Sequence, residues 1–210
     1  MGDSGASTQK QIKNFEGFRS KTQQNVKYVI HQYFGNDIED YITMTWVEKR
    51  GRISKGIGKI SLVYDFIMSW LHIREFSPEY SKSIFEAYSS EEKASNHLND
   101  IRELHEKIRK ENANVVMVVF PFLQSKEQIH KSQIYIDKLK IFFINTCSLG
   151  DVFIDVSGAA LSVPNDERVA SFIDAHPSEK LHELVVESIM PVISQSVIET
   201  DDFFIQCNDV

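Results

Sequence analysis

Short segments rich in β-branched and aromatic residues recur along this chain, separated by longer segments whose apolar residues follow a helical period. The short segments cover residues 26–34 (VKYVIHQYF), 114–122 (NVVMVVFPF) and 151–156 (DVFIDV). The second is almost wholly apolar, as a parallel strand covered on both faces should be. An order of strand, helix, strand, helix, strand predicts an α/β fold with a parallel sheet sandwiched between helices.

The intervening helices have recognisable starts and stops. Residues 8–18 form a short amphipathic segment, Ser89 to Glu92 matches a capping box, and residues 127–147 form a further helix that ends before Gly150, a candidate for a left-handed cap. Ser178 is a good N-cap for a last helix. The inner face of that helix would be Leu181, Leu184, Val185, Ile189 and Val192.

Length and composition fit one globular domain spanning residues 1–210. The chain has 42% hydrophobic and 25% charged residues and a formal net charge of -7, which argues against a nucleic-acid footprint. No run is apolar and long enough to span a bilayer. Cys147 and Cys207 do not form a disulfide framework and lack metal-ligand spacing. Residues 41–88 read as a helical insertion or lid, and the acidic, aromatic tail 199–210 has no predicted place.

Two polar segments are positioned to carry chemistry. Gly35-Asn36-Asp37 ends the first strand, and ligands of open α/β sheets bind at the carboxyl ends of strands. Asp174 and His176 lie two residues apart, and Pro177 favours an extended backbone at His176, so both side chains can project to the same side. A carboxylate that accepts a hydrogen bond from one imidazole nitrogen lets the other nitrogen act as a general base. The alternative interpretation is that Asp174 and His176 are ordinary loop residues before the last helix.

Three segments, in order, resemble the SGNH or GDSL hydrolase superfamily, whose members share a flavodoxin-like αβα fold. Tyr33-Phe34-Gly35-Asn36-Asp37 is similar to the block in which an Asn amide donates to the oxyanion, and Asp174-Ala175-His176-Pro177 to the block that holds the triad acid and base. One residue separates acid from base here, where the commonest form has two.

The amino terminus offers two interpretations. Gly2-Asp3-Ser4 is similar to the family's nucleophile block, which would make Ser4 the nucleophile. The family's nucleophile follows a central strand, however, and the spacing from Ser4 to Asn36 is too short for the segments that normally intervene. The favoured match is to the second block, with Gly5 as the oxyanion glycine. On that interpretation the parallel sheet is incomplete, with about three core strands, and the nucleophilic serine lies upstream of this chain.

The resemblance implies a serine ester hydrolase with a Ser-His-Asp triad, acting on a small-molecule or glycan ester without a cofactor. The alternatives are an O-acyltransferase on a glycan, which would use the same triad, and a non-catalytic SGNH-like domain or fragment. His182 is interpreted as a solvated helix histidine rather than a metal ligand. Tyr64 and Trp70 could line an acyl or glycan pocket, although the packing of a helix against the core is the preferred interpretation. The compartment and oligomeric state stay open.

Overall fold

The computed structural model describes residues 7–22, 24–42, 80–170, 176–194 and 204–207. The strands are β1 (Tyr28–Phe34), β2 (Asn114–Phe120), β3 (Val152–Asp155) and β4 (Phe204–Gln206). The helices are α1 (Thr8–Arg19), α2 (80–89), α3 (Glu91–Lys110), α4 (Lys126–Thr146), α5 (Ser157–Ser162), α6 (Asn165–Arg168) and α7 (Glu179–Ile193), and a 3-10 helix (Gly35–Tyr41) follows β1.

These elements form an α/β protein with an open, mixed four-stranded sheet in the order β1-β2-β3-β4. The first two strands pair in parallel from Tyr28 opposite Asn114 to Phe34 opposite Phe120, and β3 pairs in parallel with β2. The predicted parallel arrangement is therefore confirmed for β1 to β3. The fourth strand is antiparallel to β3, so part of the tail that had no predicted place forms a sheet edge.

Side chains of β2 alternate between two apolar cores, one on each face of the sheet. Val115, Met117 and Val119 pack with α1, α3 and α4 on one face. On the other face, α5 and α7 pack against Val116, Val118 and Phe120. The inner face of α7 includes Leu181, Val185 and Ile189, as the helical period predicted. Both faces of the central strand are thus buried, which accounts for its continuous apolar sequence.

Local signals at the element ends were partly informative. Gly150 adopts the predicted left-handed conformation with φ +86°, and Ser178 Oγ accepts a hydrogen bond from Leu181 N, 3.2 Å away, at the start of α7. The predicted capping box at Ser89 is wrong. Ser89 closes α2, where its hydroxyl donates to Phe85 O, and Ser90 precedes α3 without a side-chain cap.

A disulfide joins Cys147, just after α4, to Cys207, just after β4. The sequence predicted no disulfide framework, and this single bond was not foreseen from the spacing of the two cysteines. Backbone hydrogen bonds join the same two regions. Cys207 N donates to Asp151 O and Gly150 N donates to Cys207 O, and each distance is 3.0 Å. The disulfide ties the end of the short edge strand β4 to the end of α4, a few residues before β3 begins.

The opposite edge of the described sheet is β1. It pairs only with β2 among the described strands, and its Ile30 side chain is 50% exposed on the face that carries α5 and α7. Within the described ranges, no helix has the length and apolar content that a membrane span requires.

Candidate functional site

The polar triplet at the end of β1 is held by close packing around Gly35. A Cβ atom there would lie 2.8 Å from Tyr135 Cε1 and 2.9 Å from Phe122 Cε2. Tyr135 is fully buried and its hydroxyl donates to Phe120 O, 2.6 Å away, so its ring cannot move aside. Only a residue without a Cβ lets the backbone come this close to the two rings. Gly35 also starts the 3-10 helix that presents Asn36 at the carboxyl edge of the sheet.

Asn36 is half-buried, and its amide is hydrogen-bonded within the fold. Asn36 Nδ2 donates to Glu39 Oε1, 3.3 Å away, and the Tyr80 hydroxyl donates to the same oxygen. Sequence reasoning did not single out Glu39 or Tyr80. The spacing of three residues in a helical turn would have indicated the Asn36–Glu39 contact, whereas nothing in the sequence indicates the approach of Tyr80 from α2.

Asp37 is buried beside Asn36 and has a structural role in the turn. Its Oδ2 accepts hydrogen bonds from Phe34 N at 3.2 Å and from Gln11 Nε2 at 3.3 Å. Burial nevertheless raises the pKa of the Asp37 carboxyl to about 8, because the two donors offset only part of the desolvation. This carboxyl therefore keeps a proton at neutral pH and adds no negative charge near Asn36.

His176 lies at a bend just before α7, so the extended backbone that Pro177 led us to expect there stays a prediction. Its carbonyl accepts a hydrogen bond from Ala170 N, 2.9 Å away, and Pro177 forms an antiparallel bridge with Val169. The His176 side chain is exposed, and its ring meets the Phe34 ring at 82° with centroids 6.2 Å apart. Since Phe34 is two residues before Asn36, the imidazole and the amide lie at the same end of the sheet.

A second imidazole lies at this end. His182, in the first turn of α7, is exposed and contacts Phe120 with ring centroids 6.0 Å apart. Phe120 in turn stacks on Phe34 at 4.9 Å, so the two phenylalanines form an aromatic floor under both histidines. The arrangement combines two exposed imidazoles, an amide donor and an apolar ring.

The other residues predicted for the site lie outside the described residues. These are Asp174, the predicted acid, Gly5, the predicted oxyanion glycine, and Ser4, the less favoured nucleophile; Tyr64 and Trp70 lie outside as well. Of the predicted site residues, Asn36 and His176 are the two that the structure describes, and both lie at the carboxyl end of β1.

A separate polar cluster that sequence reasoning missed is buried between β1 and α3. His31 Nδ1 lies 3.0 Å from His105 Nε2, and the Tyr33 hydroxyl contacts both His97 Nε2, at 2.6 Å, and the Tyr88 hydroxyl. Burial lowers the pKa of His31 to about 4 and that of His97 to about 3, and lowers that of His105 as well. These imidazoles are neutral and closed to solvent, so they are not part of a surface site.

Among the described residues, no group of three or more His, Cys, Asp or Glu side chains has an arrangement that could hold a metal ion. A shallow, open cleft beside the segment that carries His176 is lined by Glu167, Val169, Ser178, Glu179, Lys180 and Glu183. Its mostly acidic rim includes an ion pair between Lys180 and Glu167.

The fold and these contacts define an α/β protein with an exposed imidazole and a strand-end amide at the carboxyl edge of a parallel three-stranded core. Comparisons with known proteins add no family to this class. No protein-family model matches the chain, and neither curated proteins nor solved structures include a significant match.

Proposed function

We propose that this chain is a flavodoxin-like domain of the SGNH type and belongs to a serine ester hydrolase. The proposal is supported by three parallel strands in sequential order with helices on both faces. The observation that carries it is the contact of His176 with Phe34, which brings the predicted base to the strand that ends in Asn36.

In the proposed reaction, the hydroxyl of a serine attacks the ester carbonyl while His176 takes its proton and later passes it to the leaving alcohol. Asp174 would fix the tautomer of that imidazole. Negative charge that develops on the carbonyl oxygen would be met by the Asn36 amide and the Gly5 backbone N–H. The half-buried ring of Phe34, which stacks on the buried ring of Phe120, gives the acyl or alcohol portion of the substrate an apolar surface to contact.

The test is labelling with a fluorophosphonate probe of the protein as the cell makes it, with the modified serine located by mass spectrometry. We expect one labelled serine, loss of labelling in His176→Ala, and a labelling rate on the order of 100-fold lower in Asn36→Ala. His182→Ala is the matched control, because it removes an imidazole from the same floor and should label normally. Absence of any labelled serine would contradict the proposal.

A labelled serine would still serve a hydrolase or an acyltransferase. Supplying an alcohol acceptor with the ester and analysing the products distinguishes them, because a transferase forms a new ester whereas a hydrolase releases the free acid.

One observation favours a non-catalytic SGNH-like domain as the second candidate. Glu39 accepts the hydrogen bond of the Asn36 amide, so a carboxylate lies beside the group that would stabilise the oxyanion. A negative charge there opposes a developing negative charge. Under this candidate the Asn36–Glu39 pair only closes the turn after β1. Removing either side chain would then change the stability of the fold and would not change fluorophosphonate labelling.

A further inference from the structure

Arg168, at the end of α6, is fully buried and binds oxygen atoms of three neighbouring segments. Its Nε donates to Ala160 O at 2.6 Å and its Nη2 to Val163 O at 3.0 Å, both at the end of α5. Nη1 donates to Asn165 Oδ1 at 2.9 Å and makes a longer contact, 3.5 Å, with Leu123 O after β2. One guanidinium thus links the segments that follow β2 and β3.

The backbone of the same residue leads directly to His176. Ser178 N donates to Arg168 O at 3.0 Å, and Ala170 N donates to His176 O at 2.9 Å. These two bonds flank the antiparallel bridge between Val169 and Pro177. The short ladder fixes the backbone from His176 to Ser178. Its opposite segment begins at Arg168, whose side chain is buried among carbonyl groups.

We infer that Arg168 is a positioning residue for His176. The guanidinium anchors one side of the ladder to the carboxyl ends of β2 and β3, and the ladder holds the imidazole against Phe34 at the carboxyl end of β1. As a role in catalysis this inference rests on the proposed function. As a statement about the orientation of His176, it depends only on the contacts described above.

The planar fork of arginine is essential to this role. Its nitrogen atoms reach carbonyl groups that lie in different directions, whereas a lysine ammonium is a single point that can satisfy only those near one position. Arg168→Lys therefore keeps the charge but releases some of the carbonyl groups. If Arg168 served only general stability, the remaining folded molecules would hold His176 as before.

The experiment is proton NMR of the full chain with isotope-labelled histidine and phenylalanine, which measures nuclear Overhauser contacts between rings. In Arg168→Lys we expect loss of the His176–Phe34 contact, or a fall to below about half its intensity. The His31–His105 contact, with ring centroids 5.2 Å apart in the other core, should persist and shows that the variant is folded. Arg102→Lys on α3 is the matched control and should change neither contact.

An undiminished His176–Phe34 contact in folded Arg168→Lys would overturn the inference. If Arg168→Lys loses the His31–His105 contact too, Asn165→Ala decides, because it removes only the nearer of the two acceptors of Nη1. A weakened His176–Phe34 contact in that variant supports the role and an unchanged one overturns it. Failure of fluorophosphonate labelling would remove the esterase proposal and leave these ring contacts as they are, so the two failures are distinguishable.

Discussion

His31 Nδ1 and His105 Nε2 lie 3.0 Å apart in a core where each ring has a second nitrogen without a described hydrogen-bond partner. His97 Nδ1 is in the same condition. A second proton on any of these rings would place a positive charge in an apolar interior.

The surroundings of this cluster contain few groups that could compensate such a charge. Asp100 is engaged by Gln9 and Tyr41, and Asp151 is paired with Arg109. Asp37 holds a proton, as its raised pKa indicates. The other described rings in contact with the histidines are those of Tyr33, Tyr41, Tyr88 and Phe143. The three histidines are therefore expected to resist protonation in the folded state.

We predict that stability falls as the pH drops below about 6. The unfolded chain binds protons at these histidines from about pH 6.5, whereas folded His31 does so only near 4 and folded His97 near 3. Asp37 contributes to the pH dependence of stability with the opposite sign. Its raised pKa lets the folded state bind one more proton than the unfolded chain between about pH 4 and pH 8. A net difference of two protons predicts a loss of about 2–3 kcal/mol per pH unit, measured by urea unfolding from pH 7 to 4.5.

The variant His31→Gln should reduce that slope by the contribution of about one proton, whatever its effect on stability at pH 7. His130→Gln, which replaces an exposed histidine on α4, is the control and should leave the slope unchanged. An identical slope in wild type and His31→Gln would exclude the buried cluster as its cause.

Asp151→Asn should destabilise the fold by about 3 kcal/mol, because it leaves the Arg109 guanidinium without its partner. The Asp151 carboxylate is fully buried, accepts from Val115 N at 2.8 Å and Ser148 N at 2.9 Å, and pairs with Arg109 Nη2 at 2.7 Å. Chemical denaturation measures the change. Glu127→Gln removes an exposed ion pair with Lys131 and should have no effect beyond error; similar losses in both variants would contradict the argument.

Gly35→Ala should cost about 1–3 kcal/mol through overpacking. The added Cβ would lie less than 3.0 Å from the Tyr135 and Phe122 rings, so at least one of them would have to shift. Thermal unfolding measures the loss. Gly17→Ala, on α1, is the control because a Cβ there meets nothing within 4 Å. Equal melting temperatures for Gly35→Ala and wild type would show that the turn can relax.

Replacing both cysteines by serine should destabilise the protein by about 4 kcal/mol, since the bond closes a loop with a sequence separation of 60. The loss is expected because the unfolded chain gains conformational freedom, together with some fraying of β4. Urea unfolding of Cys147→Ser/Cys207→Ser, compared with oxidised and reduced wild type, measures it. Oxidised and reduced wild type with the same midpoint would show that the bond does not constrain the unfolded state.

Glu39→Gln tests the proposed chemistry directly. Removing the carboxylate charge beside Asn36 should speed fluorophosphonate labelling on the order of tenfold, because less negative charge opposes the developing oxyanion. Asp40→Asn is the matched control, since it removes a charge from an exposed residue next to Glu39. A slower reaction in Glu39→Gln would instead assign the carboxylate a supporting role at Asn36.

The parts of the fold that the sequence predicted are those decided locally. The continuous apolar run of β2 indicated a strand buried on both faces, and Gly150 and Ser178 marked the ends of elements. β4 was missed because three residues carry too little periodicity. The Cys147–Cys207 bond was missed because it depends on where the tail returns in three dimensions.

For the site, the strand end indicated Asn36. The extended backbone predicted at His176 stays a prediction, since the structure records a bend at that residue. The sequence could not reveal that Glu39 and Tyr80 engage this amide, because that depends on how α2 packs against the turn. Arg168 was equally hidden, since arginine is usually exposed and only the folded chain surrounds it with carbonyl groups.

The bond between Cys147 and Cys207 makes a covalent ring of everything between these two positions, including β3, α7 and the segment with His176. A protease that cuts a single peptide bond inside this ring would leave both pieces attached to each other. Such a nick would be invisible on a denaturing gel until a thiol reductant is added, when two shorter bands would replace one.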